Sequence, residues 1–267
     1  MSKRISAKFG SELFRLDGKI VLITGGAGII GNQIAQALAR AGAVVIIAAR
    51  HVKKCEALAK QLQGMGLAAE SGELDLTKEI SIQRLRDGIL KQYGRLDVLI
   101  NNAVARAGGD LRNSTVANWE VTLRVNAIGL FSACRIFSEP MQAARTGSII
   151  NIASIYGIVG ANFSIYKGTS LTNPVNYTFA KGGMISLTRY LASYLAPYQV
   201  RVNCLSPGGF KTPETPTEFV SNYLQHVPMG RMLEPGDIDG PLVFLASDAS
   251  RYVTGQNIAV DGGWTAI

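Results

Sequence analysis

The sequence predicts an α/β fold: a single doubly wound parallel sheet of about seven strands flanked by helices. Three observations carry this. Strand-like and helix-like segments alternate from about residue 16 to the C-terminus. The chain has 267 residues and is 47% hydrophobic, which is enough for one large core. No Pro/Ser-rich linker and no block of like charge divides it.

Residues 1–15 carry Lys3, Arg4, Lys8 and Arg15 and are expected to form a flexible basic tail ahead of one domain over 16–267. Residues 19–24 are a short apolar run that reads as a buried strand. A glycine-rich turn follows at 25–31. Ile34, Ala35, Leu38 and Ala39 then recur at helical spacing, and Gly42 fits the stop of a helix over 32–41. The apolar run 43–49 is the second strand. Further strands are expected near 69–74, 96–101, 148–153, 200–205 and 257–260, alternating with helices near 52–63, 78–93, 116–144, 177–196 and 235–247. In such a sheet the ligand sits beyond the carboxyl ends of the strands. Gly25–Gly31, Asn101, Asn102, Ala103, Ser154, Pro207 and Gly208 therefore share one rim.

Composition narrows the function classes. Net charge is +8, which suits anionic ligands. The cations are dispersed and form no basic stripe with interleaved aromatics, so no nucleic acid partner is expected. No apolar run approaches the ~20 residues of a membrane span, and the N-terminus lacks the apolar stretch of a signal peptide. Cys55, Cys134 and Cys204 are scattered and odd in number, which points to a reducing cytoplasm without a disulfide framework. His51 and His226 stand far from any metal-ligand spacing, so no metal is expected.

The strand, glycine turn and helix at 19–41 are the context in which a glycine motif signals a nucleotide. Glycines let backbone approach a pyrophosphate, and the helix N-terminus supplies amide donors and a positive dipole. The backbone and side chains of Gly25, Ala27, Gly28, Ile29, Ile30 and Gly31 are the expected contacts. About 20 residues later an NAD site would present Asp or Glu to the ribose hydroxyls. Here Ala48, Ala49, Arg50 and His51 fill that zone, with Lys53 and Lys54 beyond. Arg50 can pair with a 2′-phosphate, so NADP(H) is expected to be preferred and NAD(H) possible. The competing reading of Arg50 is an ordinary surface cation.

Tyr177 and Lys181 stand four apart on an expected helix, which puts a phenol beside an ammonium. A phenol with a pKa of about 10 is a poor base at neutral pH. Opposite charges ~4 Å apart at an effective dielectric of ~20 interact by roughly 4 kcal/mol. That can lower a phenol pKa by up to about 3 units, into the range useful for acid–base catalysis. Alone, the pair is a common surface arrangement. The nucleotide signal at the other end of the chain gives it meaning.

Taken together, these residues resemble the short-chain dehydrogenase/reductase family, a single-domain Rossmann fold, from about Leu16 to Trp264. The markers run in the family's order: the glycine turn, Asp75, Asn101-Asn102-Ala103, Asn126, Ser154, Tyr177-x-x-x-Lys181, Pro207-Gly208 with Thr212, and Asp261-Gly262-Gly263. The resemblance implies that Tyr177 is the general acid/base and that Lys181 lowers its pKa and binds the nicotinamide ribose. It implies that Ser154 hydrogen-bonds the reacting oxygen and that Asn126 holds a proton-relaying water. Asp75 and Leu76 would face the adenine, Asn102 and Ala103 the ribose, and Pro207, Gly208, Phe210 and Thr212 the nicotinamide. It also implies a homo-oligomer, tetramer or dimer, built on the helices through 121–144 and 177–196. Standing alone, Ser154 would read as a strand-end cap and Asn126 as a helix polar residue bonded to backbone.

Two features depart from the usual pattern of Thr-Gly-x-x-x-Gly-x-Gly with about a dozen residues between the serine and tyrosine. Ile29 stands at the middle glycine's position and Gly28 precedes it, a spacing that resembles the family's longer branch acting on sugar nucleotides. Ser154 and Tyr177 are separated by 22 residues. The inserted part of 155–176 carries hydroxyls, amides and Lys167 with few large apolar groups. It fits a polyhydroxylated or phosphorylated small molecule better than a lipid, or else it packs against a neighbouring subunit. With 172–177 and 191–195 it resembles a bacterial subgroup of flagellin-modification oxidoreductases linked to sialic-acid-like sugars. The expected function is NADP(H)-dependent hydride transfer at a secondary alcohol or ketone of a sugar, sugar-phosphate or nucleotide-sugar substrate. The alternatives are a 3-oxoacyl thioester reductase and a non-catalytic NADP(H)-binding sensor or scaffold.

Overall fold

The computed structural model describes residues 10–267. Seven strands form one sheet: β1 (Ile20–Thr24), β2 (Val44–Ala49), β3 (Ala69–Glu73), β4 (Val98–Asn101), β5 (Gly147–Ile152), β6 (Val200–Pro207) and β7 (Asn257–Val260). Their spatial order is 3-2-1-4-5-6-7 and every pairing is parallel. The connections are α1 (Ile29–Arg40), α2 (Val52–Gly64), α3 (Glu79–Tyr93), α4 (Val116–Leu123), α5 (Leu130–Ala144), α6 (Val175–Leu195), α7 (Thr217–Leu224) and α8 (Asp239–Ala246).

Successive side chains on a strand point to opposite faces, and the apolar residues divide accordingly. Leu22, Ile46, Leu99, Ile149 and Val202 enter one core with α3, α5 and α6. Val21, Ile23, Val45, Ile47, Ile100 and Ile150 enter the other, with α1, α2 and α8. Both faces are thus covered, which is why the strands read as continuous apolar runs rather than alternating ones. Cys55, Cys134 and Cys204 are free thiols buried in these cores.

A third, smaller cluster joins the segment after β5 to the end of the chain. Ile155 and Ile165 pack with Tyr223, Val227, Met232 and Trp264, and the Tyr223 ring stacks on Trp264 at 4.5 Å. The 155–176 segment therefore rests on α7 of its own chain. Two short 3-10 turns lie within it, Ile155–Gly157 and Phe163–Tyr166.

Of the expected basic tail, residues 1–9 lie outside the described residues. Gly10–Phe14 is a 3-10 turn, with the Phe14 ring 6.4 Å from that of Phe244. The helix expected over 116–144 is interrupted at Arg124–Gly129 by a π-helical turn. The helix expected from residue 235 starts at Asp239, because Gly236 takes a left-handed φ of 96° that no helix continues through. α7 was not expected at all; it is eight residues long and hemmed in by Pro213 and Pro216.

Candidate active site

The strand order reverses between β1 and β4, and a cavity of about 850 Å³ opens at the carboxyl ends of the strands. Every residue expected at the cofactor lines it: Gly25, Ala27, Gly28, Ile29, Ile30, Gly31, Arg50, Asp75, Leu76, Asn102, Ala103, Tyr177, Lys181, Pro207, Gly208, Phe210 and Thr212. Ser154 lines it too. Asn126 does not.

The glycine turn is built for close approach. A Cβ on Gly31 would meet the Gly25 carbonyl oxygen at 2.4 Å, and one on Gly25 would meet Ala103 Cα at 2.7 Å. Asn102 closes the turn from the other side, donating from Nδ2 to the carbonyls of Thr24 (3.1 Å) and Gly25 (3.0 Å). The α1 N-terminus carries no side-chain cap, so its amides and dipole face the cleft. Ile29 is the first residue of α1 and is 60% exposed. An exposed side chain at the wall of the cavity meets no packing obstacle, so this position accepts it. This cradle fits the pyrophosphate of a dinucleotide.

At the end of β2, Arg50 is exposed and shares the adjoining surface pocket with Lys78 and Arg84, as well as Glu73 and Asp75. Burial pushes the Asp75 carboxyl up, but bonds from Thr77 and the charges of Lys78 and Arg50 outweigh it and hold the group below its usual range. Its Oδ1 accepts from Thr77 N (3.0 Å) and Oγ1 (2.7 Å).

The other end of the cleft holds the catalytic candidates. Ser154 stands two residues past β5 and caps the 3-10 turn that follows, its Oγ accepting from Tyr156 N at 3.2 Å. α6 begins at Val175, two residues before expected, so Tyr177 and Lys181 sit in its first two turns on one face. The turn after Ser154 can lie against α6 because residue 157 is glycine; a Cβ there would meet the Lys181 carbonyl oxygen at 2.7 Å. Tyr177 and Lys181 are buried, and Lys181 Nζ donates to the Ile152 carbonyl and lies 5.6 Å from the Tyr177 ring centroid. Burial raises the Tyr177 pKa. The charges of Lys181 and Arg106 and the nearby Ser154 hydroxyl outweigh it, so the phenol is held below its ordinary value. Burial in turn lowers the Lys181 pKa.

Asn126 occupies the π-helical turn. Its Oδ1 accepts from Ala105 N (2.8 Å) and its Nδ2 donates to the Ala105 carbonyl (2.9 Å), so the side chain holds the loop after β4. Arg106 is the residue that sequence reasoning missed. Its Nη2 donates to the Tyr177 hydroxyl at 3.2 Å. No motif announces it; the available signal was a lone cation five residues beyond the end of β4. Tyr156, Tyr166, Phe219 and Tyr223 also line the cleft unannounced.

The family model described as enoyl-(acyl carrier protein) reductase matches residues 25–265. A 3-oxoacyl-[acyl-carrier-protein] reductase of Thermotoga maritima is 34% identical over 254 residues, covering 93% of this chain and 98% of that protein. The chain belongs to the short-chain dehydrogenase/reductase family. Within this family it is also similar to the D-threitol dehydrogenase of Mycolicibacterium smegmatis, at 33% identity over 94% of this chain and 95% of the relative. The crystal structure of a gluconate 5-dehydrogenase from Burkholderia cenocepacia, in complex with NADP and tartrate, matches with a TM-score of 0.87 at 30% identity, covering 96% of this chain and 99% of that one. The protein is thus an oxidoreductase with the family's Rossmann domain and NAD(P) site.

Proposed function

We propose that this protein transfers a hydride between NADP(H) and a secondary alcohol or ketone of a polar, sugar-like substrate. The observation that carries the reading is Tyr177: a buried phenol held below its ordinary pKa by Lys181 and Arg106, with the Ser154 hydroxyl beside it in the dinucleotide cleft. Residues 25–31 would hold the pyrophosphate, Arg50 the 2′-phosphate, and Tyr177 and Lys181 the nicotinamide ribose. The nicotinamide, when bound, supplies or accepts the hydride.

The chain's own residues handle the proton. In oxidation the Tyr177 phenolate takes the proton of the substrate hydroxyl; in reduction the phenol returns it. Ser154 orients the reacting oxygen by hydrogen bond, and Lys181 stabilises the phenolate where it forms. Asn126 fixes the loop that borders this site. The cleft wall from Tyr156, Tyr166 and Thr172 offers hydroxyls, which suits a polyhydroxylated substrate. The threitol and gluconate dehydrogenases among the similar proteins support that class. Buried free thiols fit a reducing cytoplasm, and the exposed apolar residues on α5 and α6 fit a homo-oligomer.

A second reading is a 3-oxoacyl thioester reductase, favoured by the Thermotoga relative. Turnover of sugars, sugar phosphates and nucleotide sugars against acetoacetyl thioesters, followed at the nicotinamide absorbance, separates the two. The Tyr177→Phe variant should lose roughly 10²–10⁴-fold in kcat while NADPH affinity survives. Full turnover by that variant sinks the mechanism; NADPH binding with no turnover of any substrate would favour a sensor.

A further inference from the structure

Arg106 has a built setting. The residue before it, Ala105, is clamped on both its N–H and its carbonyl by Asn126 at 2.8 and 2.9 Å. The residue after it, Ala107, is held at its carbonyl by Asn176 Nδ2 at 2.9 Å, and the same amide also donates to the Asn118 carbonyl at 3.1 Å. Both asparagines are buried, at 3% and 0% exposure. Two buried amides therefore hold the backbone on either side of Arg106, while its own side chain stands exposed in the cleft.

The guanidinium lies over the Tyr177 ring, 4.5 Å from its centroid, with Nη2 on the hydroxyl. Among the described residues it forms no ion pair. Among the described residues Glu214, also in the cleft wall, forms none either. Tyr166 feels the Arg106 charge, and its hydroxyl pairs with that of Tyr156 at 2.9 Å. A cation, an acid/base phenol and two further hydroxyls thus face one space.

We infer that Arg106 is a specificity-determining residue that receives an anionic group of the substrate, a carboxylate or a phosphate, on a carbon close to the reacting one. The inference rests on the proposed hydride transfer at Tyr177 and narrows its substrate class to acidic polyols and keto acids or sugar phosphates. A guanidinium is a planar fork that matches the oxygens of either group in a bidentate pair. The closeness follows from a shared neighbour. The reacting oxygen must bond to the Tyr177 hydroxyl, and Arg106 already does. A substrate charge at the far end of a long tail would not meet it. A neutral substrate would cover the cation with nothing to pair it, which costs binding.

The test is calorimetric titration of the full chain at fixed ionic strength, without cofactor and with saturating NADP+. The probes are tartrate, inorganic phosphate and the uncharged threitol. Wild type should bind at least one anion and bind threitol far more weakly. Arg106→Met should lose about tenfold or more in anion affinity, the loss expected for one charge-assisted pair, and Arg106→Lys should recover part of it. Loss confined to tartrate assigns a carboxylate; loss confined to phosphate assigns a phosphate. Anion affinity unchanged in Arg106→Met overturns the inference. So does a parallel loss of NADPH affinity, which would give Arg106 to the cofactor. Higher wild-type kcat/KM for neutral polyols than for their acids or phosphates overturns it while leaving the hydride transfer intact. Failure to bind either cofactor overturns the hydride-transfer reading, and the cofactor-free titration still decides the role of Arg106.

Discussion

Tyr177 works only if its proton is mobile near neutral pH, and its surroundings set that. Burial alone would push the phenol up; the cations of Lys181 and Arg106 bring it down. The sign for activity follows. On the proposed mechanism alcohol oxidation uses the Tyr177 phenolate, so its rate climbs as pH rises through the lowered pKa. Ketone reduction uses the phenol and falls through the same point. Lys181→Met removes the charge that lowers the phenol most, so the oxidation limb should move to higher pH, read as kcat against pH. An unmoved limb would mean that another group carries the proton. The proposed cofactor choice also turns on single residues. No carboxylate immediately follows β2, and on the proposed function the exposed Arg50 would pair with a 2′-phosphate. Arg50→Asp should lower the ratio of kcat/KM for NADPH over NADH by about tenfold or more. An unchanged ratio would return Arg50 to the role of a surface cation.

At the scale of elements, the alternation of strands and helices was legible because both sheet faces are covered, which leaves long apolar runs in the sequence. The glycine turn and the Tyr177–Lys181 spacing were legible because each is local. What was not legible depends on long-range contacts. Arg106 reaches Tyr177 across 71 positions of sequence. The π-helical turn at Arg124–Gly129 has the same apolar residues as the helices around it; its break shows only once Asn126 is seen clamping Ala105. The 155–176 segment offered two equal readings, and its contacts with Phe219, Tyr223 and Trp264 arise from residues more than fifty positions later. α7 is too short and too flanked by proline for periodicity to declare it.

At the scale of the whole molecule, several large apolar side chains on neighbouring elements stay exposed among the described residues. Ile128 and Phe131, at the junction of the π-helical turn and α5, are half-exposed, as are Phe179, Tyr190 and Tyr194 on α6. The Tyr190 and Tyr194 rings stack with each other, 6.2 Å apart, rather than entering the core. Exposed patches of this kind mark interaction surfaces. The helices that carry them also carry Tyr177 and border the Arg106 loop, so the proposed association and the proposed catalysis would share elements. Light scattering of the purified chain should give a dimer or tetramer, and Phe131→Glu should reduce that mass. A wild-type monomer at micromolar concentration would refute the assembly.

The three thiols give the molecule an intrinsic clock. Burial pushes the Cys134 thiol up to about 12 and that of Cys204 to about 11, and Cys55 is raised as well. A thiol reagent attacks the thiolate, so burial and the raised pKa values protect all three while the sheet and its layers stay closed. Cys55 lies on the buried face of α2, Cys134 in α5 and Cys204 in β6. Their separate rates of alkylation time the opening of one helical layer, the other layer and the central sheet, with no label added to the chain.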